Sequence, residues 1–409
     1  MSELVRPFAA LRPLPNRAVD VIAPPYDVVS TEEARALAHD RPLSFLHVSR
    51  PEVDLPAGSS PYSDAAYARG AASFAALRKA VLVRESAPSY YVYRMSANGR
   101  EQTGVACVGS IAAYEAGRIK KHELTRPDKE NDRVRNIASL NAQTGPVLCA
   151  YRSSAALRDL LRAATAAPPT LRALGPNEVV HEVWRVGDDR RVAALSAALN
   201  ALDALYIADG HHRAAAAARV ARERRDASAA ASASQQFLVV AFPHDEMQIL
   251  DYNRVVRDTN GLSIEALLAR VREAFAVEPS ARAIAPEAPR TFGMRVAGRW
   301  YRLRIRNDLV PVDPVASLDV SLLQDRLLAP ILSIGDPRTD PRIDFVGGAR
   351  GLSELERRVA SGAAAVAFSL HATRMEQLMA VADAGKLMPP KSTWFEPKLA
   401  DGLLSHVLD

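Results

Sequence analysis

Apolar and polar positions along the chain switch between two periods. Residues 90–95 and 103–114 alternate as half-buried strands do, whereas 31–39 and 62–81 repeat as helices do. Pro24-Pro25-Tyr26-Asp27 reads as a rigid extended turn, and Ser30 with Glu33 predicts a capping box for the helix that follows. The polar segment 122–141 is predicted helical beyond Pro127. A strand at 146–151, a helix at 155–164, a strand at 178–186 and a helix at 191–202 lead into a strand at 204–208. The alanine-rich run 214–220 reads as a helix and the Ala-Ser residues 227–234 as a mobile low-complexity loop. The pattern then predicts a strand pair of 237–242 with 247–251, an amphipathic helix at 263–275 and a linker at 281–289. A hairpin of 291–296 with 300–306 is expected around Ala297-Gly298-Arg299. Helices at 319–328, 353–360 and 375–384 and a strand at 364–370 complete the chain. Strands and helices mix without strict βαβ alternation, which predicts an α/β protein of the mixed α+β kind.

At 409 residues the chain is too long for one simple core, so two or three domains are expected. It is 48% hydrophobic and 24% charged, which excludes a disordered chain. A net charge of +5 suits small anionic substrates but is too weak to argue for nucleic acid, and no helix-turn-helix segment stands out. Cys107 and Cys149 are the only cysteines, both in apolar strand-like segments, so they read as small buried side chains in a reducing compartment. No Cys-x-x-Cys or His-x-x-x-His spacing predicts a structural zinc site. With neither a signal peptide pattern nor a bilayer-length apolar run, the expectation is a cytoplasmic protein without nucleic-acid or membrane partners.

The densest chemistry lies at Asp209-Gly210-His211-His212-Arg213, between an apolar run and the alanine-rich helix. A strand turning on Asp-Gly into a helix leaves the first helical N–H groups pointing outward. Those donors, the positive end of the helix dipole and Arg213 predict a phosphate or carboxylate seat. A second cluster, His122-Glu123-Leu124-Thr125 followed by Lys129, Asp132 and Arg133, sets a glutamate before a helix, where it can act as a general base for a hydroxyl. On spacing alone that segment reads equally as a solvated helix laced with ion pairs. Lys391-Ser392-Thr393 follows a double proline and offers one cation and two hydroxyls to an anion; alone it reads as a polar turn.

Taken in order, Ala23-Pro24-Pro25-Tyr26-Asp27-Val28, His122-Glu123-Leu124-Thr125, Asp209-Gly210-His211-His212-Arg213 and Met388-Pro389-Pro390-Lys391-Ser392-Thr393 resemble the hallmarks of the bacterial family DUF1015. The paired-histidine turn also resembles a signature box of the ParB/sulfiredoxin superfamily, which includes an ADP-dependent free-serine kinase. That resemblance implies a ParB/sulfiredoxin-like nucleotide-binding core at 87–257, an N-terminal extension at 1–86 and a substrate-covering C-terminal α/β part at 258–409. It implies a phosphotransferase acting between ADP or ATP and a small hydroxy acid, free L-serine first, or the reverse reaction on phosphoserine. Glu123 would be the catalytic base beside His122. Asp209, Gly210, His211, His212 and Arg213 would bind nucleotide phosphates. Lys391, Ser392, Thr393, Thr125 and Arg133 would bind the substrate. Mg2+ is implied as well, with its ligands unassigned and Asp209 the first candidate. The alternatives are a nucleotide-hydrolysing switch of the ParB type and a small-molecule phosphatase. The kinase reading requires Glu123 and the paired-histidine turn to meet in space.

Overall fold

The structure, a computed structural model, describes residues 3–227 and 233–409. Most of the low-complexity segment expected at 227–234 therefore lies outside the described residues. The chain forms two compact units, Met1–Met247 with Pro397–Asp409 and Gln248–Glu396. Both mix helices with sheets, as the sequence pattern predicts.

The first unit is built on a nine-stranded sheet. Its strands are β1 (Val5–Arg6), β2 (Tyr90–Ala97), β3 (Arg100–Ser110), β4 (Ile119–Lys120), β5 (Val147–Tyr151), β6 (Leu171–Leu174), β7 (Val180–Val186), β8 (Leu205–Asp209) and β9 (Gln236–Pro243). They run in the order β4-β8-β5-β9-β3-β2-β7-β6, with β1 beside the end of β3. The pairs β4/β8 and β5/β9 are parallel; the others are antiparallel. Central β5 is buried at every position, which is why it reads as a continuous apolar run and not as an alternating one. Cys107 and Cys149 sit in this core, where burial pushes both thiols up, so they are inert packing groups.

Three helices of this unit matter for the site: α1 (Asp64–Ala80), α2 (Pro127–Leu140) and α3 (His211–Ala227). Ser63 caps α1, and Asn141 ends α2 in the left-handed conformation, as its short polar side chain allows. The capping box of Ser30 and Glu33 forms as predicted on the helix Thr31–Ala38. In α3, Ala214, Ala216, Ala217, Ala218 and Ala221 are all buried. Methyl-sized side chains on several faces let this helix lie between α2 and the sheet.

Several sequence expectations need correction. The strand expected at 103–114 stops at Ser110, whose hydroxyl accepts the Ala113 N–H and caps the short helix Ile111–Glu115. Residues 119–120, for which the apolar pattern predicts no strand, pair with β8. Residues 248–250 do not pair with 237–242, because β9 is already flanked by β3 and β5; they pair with Trp394–Glu396 instead. Helix α3 begins at His211, three residues before the expected Ala214, which places both histidines and Arg213 in its first turn.

The second unit carries an antiparallel six-stranded sheet of β10 (Tyr252–Val256), β11 (Phe275–Ser280), β12 (Thr291–Val296), β13 (Arg299–Ile305), β14 (Ile343–Gly347) and β15 (Val366–Leu370). The order is β11-β13-β12-β15-β10-β14. The predicted hairpin is β12–β13, turning on Ala297 and Gly298, both at positive φ as a two-residue type I′ turn requires. Because β10 pairs with β14 and β15, the division falls at Met247, ahead of the expected 257. The end of the chain returns to the first unit, where Asp401 and Ala23 exchange backbone hydrogen bonds of 3.1 and 3.0 Å. No helix among the described residues is long and apolar enough to cross a membrane.

Candidate active site

Strand β8 delivers Asp209, and a register shift between Ile207 and Asp209 re-aims its end, as bulges do beside functional sites. Gly210 then takes φ +95°, a conformation that L side chains rarely adopt. A Cβ there would lie 3.0 Å from the Arg213 guanidinium. This close turn launches α3, so the side chains of His211, His212 and Arg213 leave its first turn in different directions.

The loop between β4 and α2 comes to meet this turn. The His122 N–H donates to His211 Nε2 at 3.4 Å, and the Arg126 N–H donates to His212 Nε2 at 3.0 Å. Both Nε2 atoms therefore act as acceptors, which places the ring protons of His211 and His212 on Nδ1. The pKa of each histidine is pushed down, chiefly by burial; for His211 the neighbouring His122 adds to it, and for His212 Asp27 opposes it. They are neutral imidazoles that hold the loop, not cationic clamps.

Glu123 meets the paired-histidine turn, its Oε2 3.8 Å from His211 Nδ1. Half of its side chain is exposed, so the carboxylate borders solvent while His211 is buried. His122 is turned inward, with its ring edge-on to His211 at 4.5 Å between centroids. Burial takes its pKa down to about 4 against the opposing effect of a hydrogen bond to the Ile207 backbone. A neutral ring at that depth orients its neighbours and has no route to a substrate proton.

Arg213 faces the other way. Its Nη2 donates to Asp209 Oδ2 at 2.7 Å and its Nη1 donates to the Pro146 carbonyl, leaving Nε buried without a partner. Burial alone would favour the neutral guanidine, but Asp209 and Asp27 outweigh it and hold Arg213 charged. Asp209 is itself held well below the usual carboxylate range: burial pushes it up, and Lys398 and Arg213 together overcome that. Its Oδ1 lies 3.7 Å from Lys398 Nζ, so both carboxylate oxygens face cations. That pairing does not suit Asp209 to Mg2+, which asks for carboxylate oxygens left open.

Beyond Arg213 lies a small, partly open cavity of about 30 Å³ where Tyr26, Arg133, Gln143, Arg213 and Asp401 meet apolar Ile137, Val147 and Phe237, with room for a water or two. Arg133, expected to bind substrate, is placed here. It forks onto Asp132 at 2.6 and 2.9 Å and lies 3.8 Å over the Tyr26 ring, while the Tyr67 hydroxyl donates to the other Asp132 oxygen at 2.7 Å. Burial pushes the Asp401 carboxyl up to about 7; Arg213 and Arg133 oppose this, and Asp27 adds to it. Thr125 donates its hydroxyl to Glu130 at 3.0 Å and stays near the loop.

Lys391, Ser392 and Thr393 belong to the second unit. There the Ser392 hydroxyl donates to the Pro389 carbonyl at 2.6 Å, Thr373 donates to the Ser392 carbonyl, and the Lys391 ammonium lies 5.7 Å from the Tyr252 ring centre. Two charged residues of the first unit's turn escaped the sequence reading, Lys398 and Asp401. Both arrive from far along the chain, and no local spacing marks them.

Fold and site together define an α+β protein that sets a half-exposed carboxylate beside a histidine at the start of a long helix. The chain belongs to the family described as "Protein of unknown function (DUF1015)", which matches residues 5–321. No curated protein matches it. Solved structures similar to the chain include a free serine kinase in complex with AMP, at 13% identity over 71% of this chain and 86% of that one, with a TM-score of 0.34. They also include SbnI with a C-terminal truncation from Staphylococcus aureus, at 11% identity over 72% of this chain and 85% of that one, with a TM-score of 0.39. A conserved hypothetical protein from Pyrococcus furiosus is similar at 13% identity over 73% and 93%, with a TM-score of 0.34. Likeness of this degree leaves the function to be argued from the residues.

Proposed function

We propose that this chain is a phosphotransferase that moves a phosphoryl group between ADP or ATP and a small hydroxy acid, with free L-serine as the first acceptor to test. The observation that carries the reading is the approach of Glu123 Oε2 to within 3.8 Å of His211 Nδ1, at the start of the 17-residue helix α3. A carboxylate that reaches solvent can take a hydroxyl proton, and the adjoining helix start offers N–H groups and a positive dipole end to phosphate oxygens. Serine as the acceptor rests on the motif resemblance alone, as does membership of the ParB/sulfiredoxin superfamily.

In the forward direction the acceptor hydroxyl oxygen attacks the terminal phosphorus of the nucleotide. The bond to the leaving nucleotide oxygen breaks, and the hydroxyl proton passes to Glu123. Phosphoryl transfer asks a protein mainly for positioning and charge stabilisation. The neutral His211 and His212 serve positioning by fixing residues 122–126 through backbone N–H groups. His122 acts through His211 and is a positioning residue. Arg213 supports the turn from beneath through Asp209. Lys391, Ser392 and Thr393 are retained as acceptor-binding candidates.

The test is a pair of assays on purified protein, serine with ATP or ADP and phosphoserine with ADP or AMP, followed by 31P NMR. Transfer in either direction that disappears in Glu123→Gln supports the reading. Release of inorganic phosphate without phosphoserine assigns the chain to the phosphatase class, and the absence of nucleotide binding by calorimetry removes the phosphotransferase.

A further inference from the structure

We infer that His122, Glu123 and His211 form a binding site for a divalent transition-metal ion of the Zn2+ or Co2+ kind. Their ligand atoms lie within 4.8 Å of one another. The inference goes beyond the phosphotransferase reading, which needs no ion at this place, and stands or falls separately.

Each ring has a nitrogen to offer. The His122 imidazole donates to the Ile207 backbone, while its Nδ1 is buried without a hydrogen-bond partner and the residue is only 2% exposed. An unpartnered buried lone pair has lost its hydration with nothing in return, a penalty that coordination would recover. His211 already has its Nδ1 turned to Glu123 at 3.8 Å. Both rings are buried, and neutral imidazole is the form that coordinates a metal. Binding moves the His211 ring proton from Nδ1 to Nε2 and gives up only the long 3.4 Å contact with the His122 N–H.

The donor set also indicates which ion. Two imidazoles and one carboxylate are borderline-soft ligands that favour Zn2+, Co2+, Ni2+ or Fe2+, whereas Mg2+ prefers oxygen throughout. Tetrahedral bonds of about 2.0–2.1 Å put neighbouring ligand atoms roughly 3.4 Å apart. Closing the present spacing takes a movement of about an ångström or more, to which the half-exposed Glu123 side chain can contribute. Three protein ligands leave a position open to solvent or an acceptor oxygen, the pattern of a catalytic rather than a structural zinc site. The sequence hides this site because its ligands come from two segments, 122–123 and 211, and not from a local metal-binding spacing.

The test uses the full chain with any affinity tag removed, stripped by chelator and free of nucleotide. Zn2+, Co2+ and Mg2+ are titrated separately by calorimetry, and the Co2+ form is examined by visible absorption. The expected result is one Zn2+ per chain, much weaker Mg2+ binding, and a Co2+ spectrum showing nitrogen and oxygen ligation. Zn2+ affinity should fall at least about tenfold in His122→Ala, His211→Ala and Glu123→Gln, and stay unchanged in His39→Ala, a control on an exposed histidine. If the histidine variants lose their circular dichroism spectrum, Glu123→Gln carries the test, because its half-exposed side chain can be changed without opening the core. Unchanged Zn2+ affinity in folded Glu123→Gln, or Mg2+ bound as tightly as Zn2+, overturns the site. Phosphoryl transfer without Zn2+ binding sinks this inference alone, and Zn2+ binding without transfer sinks the phosphotransferase alone.

Discussion

The turn Asp209–Arg213 has two faces that differ in almost every physical respect. On one, His211 and half-exposed Glu123 stand 3.8 Å apart with solvent at hand. On the other, Arg213 is buried against Asp209 and the Pro146 carbonyl, beside a cavity with room for a water or two. Residues two apart at the start of a helix project from different sides, so one short motif supplies both a solvent-facing surface and the support beneath it. Charge near a candidate site is thus not all alike: Arg213 is occupied in holding the turn together, whereas the Glu123 carboxylate reaches solvent.

The sharpest way to break this comparison is Glu123→Gln. It should lower phosphoryl transfer by roughly 10²–10⁴-fold while the urea midpoint stays put; a shifted midpoint with retained transfer would reverse the two roles. Arg213→Ala should do the opposite, costing about 3 kcal/mol in urea denaturation. That is the low end for breaking a buried pair, because 31% of the Asp209 side chain still reaches solvent. Loss of nucleotide affinity with no loss of stability would move Arg213 to the reactive face.

Asp401 tests the buried face through pH. Its carboxyl is raised to about 7, so between the ordinary carboxylate value and 7 the folded protein keeps a proton that the unfolded chain has released. Stability attributable to this group is therefore full below about pH 4, falls as pH rises, and levels off above about 7. Relative to Asp401→Asn, wild-type protein should lose about 1.4 kcal/mol per pH unit across that window. A gap independent of pH would contradict the burial described for Asp401. Smallest is Gly210→Ala, which should cost about 1–2 kcal/mol in the same denaturation because an alanine Cβ is strained at φ +95°.

Much of this was legible in the sequence, and the reasons for the rest are physical. The capping box at Ser30, the helices around 64–80 and 155–164 and the hairpin turning on Ala297-Gly298 are local, and local chemistry predicts them. The partner of residues 248–250 was missed because pairing is decided by which sheet edges are already filled, a property of the whole fold. At the site, His122-Glu123 and Asp209–Arg213 stand out as dense polar strings, and they do meet. Their division of labour is not readable there: Arg213 looks like a phosphate grip and Arg133 like a substrate grip in sequence, and only the partners Asp209 and Asp132 show them occupied. Lys398 and Asp401 enter through the return of the last residues to the first unit, a long-range contact that no spacing encodes.

The central claim is that Glu123 carries the proton of a phosphoryl transfer at the start of α3. The most direct measurement follows phosphoserine formation from serine and nucleotide, together with its reverse, by 31P NMR for wild-type protein and Glu123→Gln at matched stability. The account predicts turnover in wild type and its near-complete loss in the variant with nucleotide binding retained; equal turnover in the two proteins would contradict it.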